Sequence, residues 1–263
     1  MLNLLIYIIL ILSATGAIIG WQGQKKGMRW GQPLTILCAL LAIFLGFFQT
    51  YVTSVGGLNK QVASTIRQRE YNRAQGIILG RHLKNKFRGK KAVIIKDPTR
   101  TQESDALIAL RKEIYHEIEV VAIVAPVPKI ADTEGAAPDG FINYEPTERW
   151  YTKKTLEQLL AGKKFDILIT DIGLPSELTV IGKDFTSSAL KGKRVAFLSG
   201  GIYDYVRAFM SGRIAAAVVS NPKAVFDAKN VPKDPEAAFN KRYLLITPEN
   251  YKEMIEQYNI FKR

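Results

Sequence analysis

Phe165–Pro175, FDILITDIGLP, decides the fold. Within its first six residues Ile167, Leu168 and Ile169 are consecutive and apolar, without polar alternation, and an Asp, a Gly and a Pro then break the strand. A strand apolar on both faces belongs in a sheet covered on both sides, which is the environment of parallel strands. Working outward, the same pattern recurs. Lys91–Lys96 (KAVIIK) reads as a first strand, Val120–Val124 as a second, Phe165–Thr170 as the third, Arg194–Leu198 as a fourth, Ile214–Val219 as a fifth and Tyr243–Ile246 as a sixth.

Helical patterns separate them. Gln102–Ile118 places Leu107, Leu110 and Ile114 on one face, with His116 in its last turn, and Thr152–Leu160 and Ile202–Met210 follow. A final helix is expected from Thr247, with Thr247 as its cap, Pro248 in its first turn and Glu249 favouring the N-terminal dipole, to about Tyr258. Right-handed crossovers between such strands give an α/β fold, a doubly wound parallel sheet in a three-layer α/β/α sandwich over residues 91–263. Ala125–Arg149 breaks the rhythm with four prolines, which predicts a mobile flap.

The first 52 residues have a different chemistry. Leu2–Trp21 and Leu34–Val52 contain no charged residue, and about 20 such residues cross a hydrocarbon core of about 30 Å. Trp21, Trp30 and Tyr51 stand where interfacial aromatics belong. The expectation is a transmembrane helix hairpin (2–21 and 34–52) inserted in a bacterial membrane. Residues 53–90 then read as a basic amphipathic stalk: Leu58, Val62 and Ile66 repeat at four, as do Leu79, Leu83 and Phe87. Gly76 and Gly80 are read as a bend in this helix, with a helix-dimerisation role as the less favoured reading of their G-x-x-x-G spacing.

Charge is unevenly placed along the chain. Of a net +13, residues 1–91 carry thirteen Lys/Arg and one acid, Glu70, a balance of +12. Residues 92–263 carry 24 bases and 23 acids, a balance of +1. A nucleic-acid binder carries its basic patch on the folded domain, so nucleic acid is excluded as a partner. The basic stalk is instead expected to meet anionic lipid headgroups. The single cysteine, Cys38, excludes an internal disulfide and a cysteine metal cluster. No metal site and no cofactor is read from the chain.

In a doubly wound sheet, ligands sit beyond the carboxyl ends of the strands near the switch in strand order. Asp97 follows the first strand, Asp171 the third, and Ser199-Gly200-Gly201 the fourth. These five residues form the candidate site, with the amides of the helix after the glycines available to a ligand. For each the competing reading is a turn or cap. Neither His82 nor His116 lies near a strand end, so a serine nucleophile lacks an obvious base.

FDILITDIGLP resembles the phosphoacceptor strand of response-regulator receiver domains, with Asp171 in the acceptor position. LSG at Leu198–Gly200 and SNP at Ser220–Pro222 resemble that family's later motifs. The chain departs from the family where Lys96 precedes Asp97 in place of a second acid, and where Asn221 holds the lysine position. The hairpin, the stalk and the stretch NPKAVFDAKNVPKDPEAAFNKRYLLITPEN resemble uncharacterised membrane-anchored bacterial proteins. The strand endings are also similar in style to periplasmic binding-protein lobes. The reading placed first is a non-enzymatic, sensor-like domain for a small ligand or protein partner. A degenerate cytoplasmic receiver and a hydrolase or transferase using Asp97, Asp171 or Ser199 are the alternatives.

Lys25, Lys26 and Arg29 in the loop between the two apolar segments place that loop in the cytoplasm and the domain outside it. A reporter active only in the cytoplasm, fused after Arg263, is therefore expected to be silent. Strong activity would reverse the orientation.

Overall fold

The structure is a computed structural model. It describes residues 2–131, 143–179, 187–199, 201–202, 205–226 and 230–260, without the side chains of 2–8, 10, 49 and 51–61. The chain divides into two compact units, Met1–Ile66 and Arg67–Arg263.

The first unit contains α1 (Leu2–Lys25) and the beginning of α2 (Gly31–Lys86). A seam of small residues on α1 brings the two helices together. A methyl group on Gly16 would stand 2.7 Å from Cys38 Sγ, and one on Gly20 would stand 2.6 Å from Thr35 Oγ1. Ser13, on the same seam, is buried. Such seams let helix backbones approach closely. Among the described residues one window, Gly31–Phe48, is long and apolar enough to cross a membrane, with a mean hydropathy of 2.0. Its side chains are almost wholly outward, Leu37, Leu40, Phe44 and Phe47 among them.

In the second unit, six strands form one sheet: β1 (Lys91–Ile95), β2 (Glu119–Val124), β3 (Ile167–Thr170), β4 (Arg194–Phe197), β5 (Ile214–Ser220) and β6 (Tyr243–Ile246), in the order β2-β1-β3-β4-β5-β6. The first five run parallel. The sixth runs antiparallel to β5, with Ser220 opposite Tyr243, which departs from the all-parallel expectation. The cause is α7 (Pro235–Arg242), a helix absent from the sequence reading. Its eight residues end beside the carboxyl end of β5, so the chain has to run back along it. Asp234 caps α7 through Ala237 N, and Pro235 opens its first turn.

Alternate strand residues point to opposite faces and build two cores. Val93, Ile95, Leu168, Val195, Phe197 and Ile214 pack with α5 (Lys153–Leu160), α6 (Val206–Met210) and α8 (Tyr251–Tyr258). Ile94, Ile167, Ile169, Ala196 and Leu198 pack on the other face with α3 (Asp105–Ile114), with Ala238 and Phe239 of α7, and with Tyr71, Ala74, Leu79 and Leu83 of α2.

The sequence drew its boundary between stalk and domain at residue 91, whereas the compact unit begins at Arg67. Tyr71, Leu79 and Leu83 are fully buried, and each such side chain contributes about 1.5–3 kcal/mol. α2 is helical through both Gly76 and Gly80. They are the surface on which α3 rests. A methyl on Gly76 would overlap Ala106 O and stand 2.7 Å from Leu110 N, and one on Gly80 would stand 2.6 Å from Glu113 Cβ.

Several basic residues of this stretch are also engaged within the unit. Arg69 pairs with Asp105 at 3.0 Å, Arg81 and Lys84 with Glu113 at 3.9 and 3.2 Å, and Lys86 with Glu249 at 2.7 Å. Beyond the helix, Arg88 pairs with Glu117 and Lys91 with Glu119. These partners give part of the basic run an intramolecular role.

Smaller differences have local causes. α3 is shorter than expected, because Ser104 caps it through Leu107 N and His116 adopts a left-handed φ of 68° just beyond its end. α8 starts at Tyr251, after a turn in which Thr247 Oγ1 accepts from Glu249 N and Asn250 Oδ1 accepts from Thr247 N, so Thr247 caps a turn and not the helix. The centre of the expected flap, residues 132–142, lies outside the described residues. Its flanks pair antiparallel at Ile130 and Tyr144, and they lead to α4 (Thr147–Trp150), whose Trp150 is buried and donates to Glu145 O.

Replacing an interior helical glycine with alanine ordinarily gains about 1 kcal/mol. At Gly76 the overlap with α3 reverses the sign. Gly76→Ala is expected to destabilise the unit by about 1–3 kcal/mol, as overpacking does. Thermal unfolding measures this, and an unchanged or raised Tm would refute the contact.

Candidate functional site

The strand order places the switch between β1 and β3, since the chain passes from β1 outward to β2 and then returns to the opposite side. Beyond their carboxyl ends lie Asp97 and Asp171. Both line a cleft with Lys96, Arg100, Gln102, Glu103, Ser104 and Leu107, and the cleft has a volume of about 10 Å³. That is room for about one water molecule.

Asp97 holds the turn that follows β1. Its carboxylate accepts from Thr99 N at 2.9 Å and Thr99 Oγ1 at 2.6 Å, and it pairs with Arg100 at 3.1 Å. Asp171 is buried. Ser104 Oγ donates to its Oδ2 at 3.1 Å, and Ser199 Oγ lies 3.1 Å from its Oδ1 and in contact with its backbone oxygen. Burial pushes the Asp171 carboxyl above its ordinary range; the hydroxyls of Ser104 and Ser199 and the charge of Arg100 pull it back, while Asp97 pushes it up. Ser104 has two tasks, capping α3 and holding Asp171, and the sequence reading did not single it out.

Ser199 and Gly201 open onto a different space. A cavity of about 220 Å³ at the carboxyl ends of β4 and β5 is lined by Gln75, Leu198, Ser199, Gly201, Ile202, Val218, Val219 and Ser220. The single crevice expected from the sequence is thus two compartments, joined by the Ser199–Asp171 contact. Gly200 lies outside the described residues. Gln75 belongs to α2, and it escaped notice because that segment read as stalk. Among the described residues, the cavity lining carries hydroxyl, amide and apolar groups and no ionisable side chain. The helix expected to offer free amides begins only at Val206, beyond the glycines, and has five residues.

Both histidines lie away from these strand ends. His82 faces the backbone of Ala215 at the start of β5, and burial lowers its pKa against the raising influence of Glu249. His116 sits in the turn before β2. Among the described residues, no three His, Cys, Asp or Glu side chains are grouped to hold a metal.

No protein-family profile matches the chain, and no curated protein sequence matches it. Solved structures of similar fold include a galactofuranose-binding protein (13% identity, TM-score 0.40, covering 72% of this chain and 62% of that one). Another is the TorS sensor domain–TorT complex (13% identity, TM-score 0.43, 71% and 60%). A third is AraP, an arabinose-binding protein from Geobacillus stearothermophilus (10% identity, TM-score 0.38, 69% and 62%). The chain spans about three-fifths of the length of these proteins, and the likeness is one of α/β fold alone.

An aspartate whose pKa is raised on folding binds its proton more tightly in the folded state than in the unfolded chain. The stability it contributes is fully present below its unfolded pKa, near 4, and is lost as pH rises through its folded pKa. Asp171→Asn removes this loss. The Tm of the variant minus that of wild type is expected to increase between pH 4 and pH 7; a constant or shrinking difference would contradict the burial of an ionised carboxylate.

Proposed function

We propose that the unit Arg67–Arg263 is a non-enzymatic receptor for a small, neutral, polar ligand, tethered to a membrane by the helices that precede it. The cavity of about 220 Å³ beyond β4 and β5 carries this reading. It stands at the carboxyl-end edge of the sheet, the side on which doubly wound folds take their ligands, two strands along from the switch between β1 and β3. Its volume lies below the usual range of about 300–1,000 Å³ for ligand pockets, which limits the occupant to a small molecule. The Ser199 and Ser220 hydroxyls and the Gln75 amide offer donors and acceptors, and Leu198, Ile202, Val218 and Val219 supply apolar walls. A charged ligand would lose hydration here without meeting an opposite charge among the described lining residues.

The Ser199–Asp171 contact is the feature a hydrolase would use. Asp171 already holds Ser104 with its other oxygen, and neither histidine approaches Ser199, which favours a binding role. Two spans and an extracytoplasmic domain are supported by the small-residue seam between α1 and α2, by the outward apolar side chains of Gly31–Phe48, and by Lys25, Lys26 and Arg29 in the connecting turn. Asp97 and Asp171 order the floor beside the cavity in this scheme, and Gly201 leaves room for a ligand at the backbone.

A panel of neutral polar small molecules, screened by thermal shift on the full chain in detergent, tests the proposal. At least one is expected to raise the Tm, since binding only the folded state stabilises it. Ser220→Phe, at an exposed strand end, is expected to fill the cavity and weaken that binding at least about tenfold, a change of about 1.4 kcal/mol, with the fold intact. Equal binding by wild type and variant would place the ligand elsewhere, and a silent panel would count against the receptor.

A further inference from the structure

Arg242, the last residue of α7, is 6% exposed, and among the described residues it pairs with no carboxylate. Its guanidinium lies 3.6 Å over the ring of Tyr71 and 5.1 Å from that of Phe226. Nη1 donates to Gln68 Oε1 at 2.7 Å. Nε is buried and without a hydrogen-bond partner. The hydroxyl of Tyr71, a residue with no exposure at all, is also without a partner.

Neighbouring polar groups do not balance the charge. Gln68 passes its own amide protons to Asn72 Oδ1 at 2.8 Å and to Tyr243 Oη at 3.4 Å, and Tyr243 Oη lies 3.4 Å from the same Asn72 oxygen. Among the described residues, the network is neutral apart from Arg242. A buried cation is normally paired and fully hydrogen-bonded, and stacking on aromatic rings offsets only part of its lost hydration.

The unused part of Arg242 has a definite shape. With Nη1 committed to Gln68 and Nε without a partner, the remaining edge is the one formed by Nε and Nη2, two parallel N–H groups in the spacing that grips a carboxylate through both oxygens. Phe226 covers the guanidinium but is 63% exposed, so it is a lightly held cover. Arg242 does not line the neutral cavity, although Ser220, which does, pairs in register with Tyr243.

We propose that Arg242, stacked on Tyr71, is a second binding site, specific for a carboxylate group held bidentately by Nε and Nη2, with the Tyr71 hydroxyl as a further donor. The carboxylate belongs to a small free acid or to the end of a peptide; the recognition chemistry is the same.

The test uses the full chain in detergent at fixed ionic strength, with sodium chloride exchanged for sodium formate, sodium acetate or a short neutral peptide with a free carboxyl terminus. Formate and acetate are expected to raise the Tm by about 3 °C over chloride. A peptide effect equal to that of acetate assigns the site to chain ends, and a smaller one assigns it to free acids. Arg242→Lys keeps the charge but lacks the fork, and it is expected to lose the carboxylate effect. Tyr71→Phe removes only the hydroxyl and is expected to weaken the effect. No difference between carboxylates and chloride in wild type would overturn the proposal, and so would an Arg242→Lys protein responding as wild type does. Because the readout involves neither Ser220 nor the neutral panel, its failure is separable from that of the cavity.

Discussion

The contact between α2 and α3 at Gly76 and Gly80 is the constraint on which the second unit depends. Where these backbones meet there is no room for a Cβ. That closeness seats Tyr71, Ala74, Leu79 and Leu83 on the same sheet face as Leu107, Leu110 and Ile114. With larger residues at the crossing, α2 would stand off, and one face of β1, β3 and β4 would lose its cover. The same seating places Gln75 in the wall of the cavity and Tyr71 under Arg242, so both proposed sites are built partly from this helix.

Charge follows the contact and does not cause it. The excess of +12 over residues 1–91 looks like a surface seeking an external anion, yet much of it meets Asp105, Glu113, Glu117, Glu119 and Glu249 of the nearly neutral remainder. Pairs this exposed contribute about 0–1 kcal/mol each, less than one buried leucine of α2. Their role is to favour one rotation and register of the helix over its alternatives. Lys86 also holds the Glu249 carboxyl down to about 2, with Thr247 assisting, and so ties α2 to the turn before α8.

Strands were the most legible elements of this sequence. Each apolar run became a strand within a residue or two, because burial on both faces leaves a dense local signal. Parallel order and the positions of Asp97 and Asp171 at the switch followed from that alternation. What escaped depended on partners distant in sequence. Gly76 and Gly80 look like helix breakers until α3 lies against them. Gln75 and Ser104 look like ordinary helix and cap residues until the strand ends arrive. Tyr243 ran antiparallel because α7 is short, and α7 was announced only by Asp234-Pro235-Glu236, a start signal that the reading passed over. Arg242 carries no local signal at all, since its lack of a carboxylate is a property of the packed core.

Hydrogen exchange on the full chain in detergent tests the central claim, that residues 71–83 of α2 are a layer of the core and not a detachable stalk. The amides of residues 71–83 are expected to exchange only with global unfolding, at the same free energy as the central strands β1 and β3. Rapid exchange of this segment by local opening, while β1 and β3 stay protected, would show that the helix is dispensable to the fold and contradict the account.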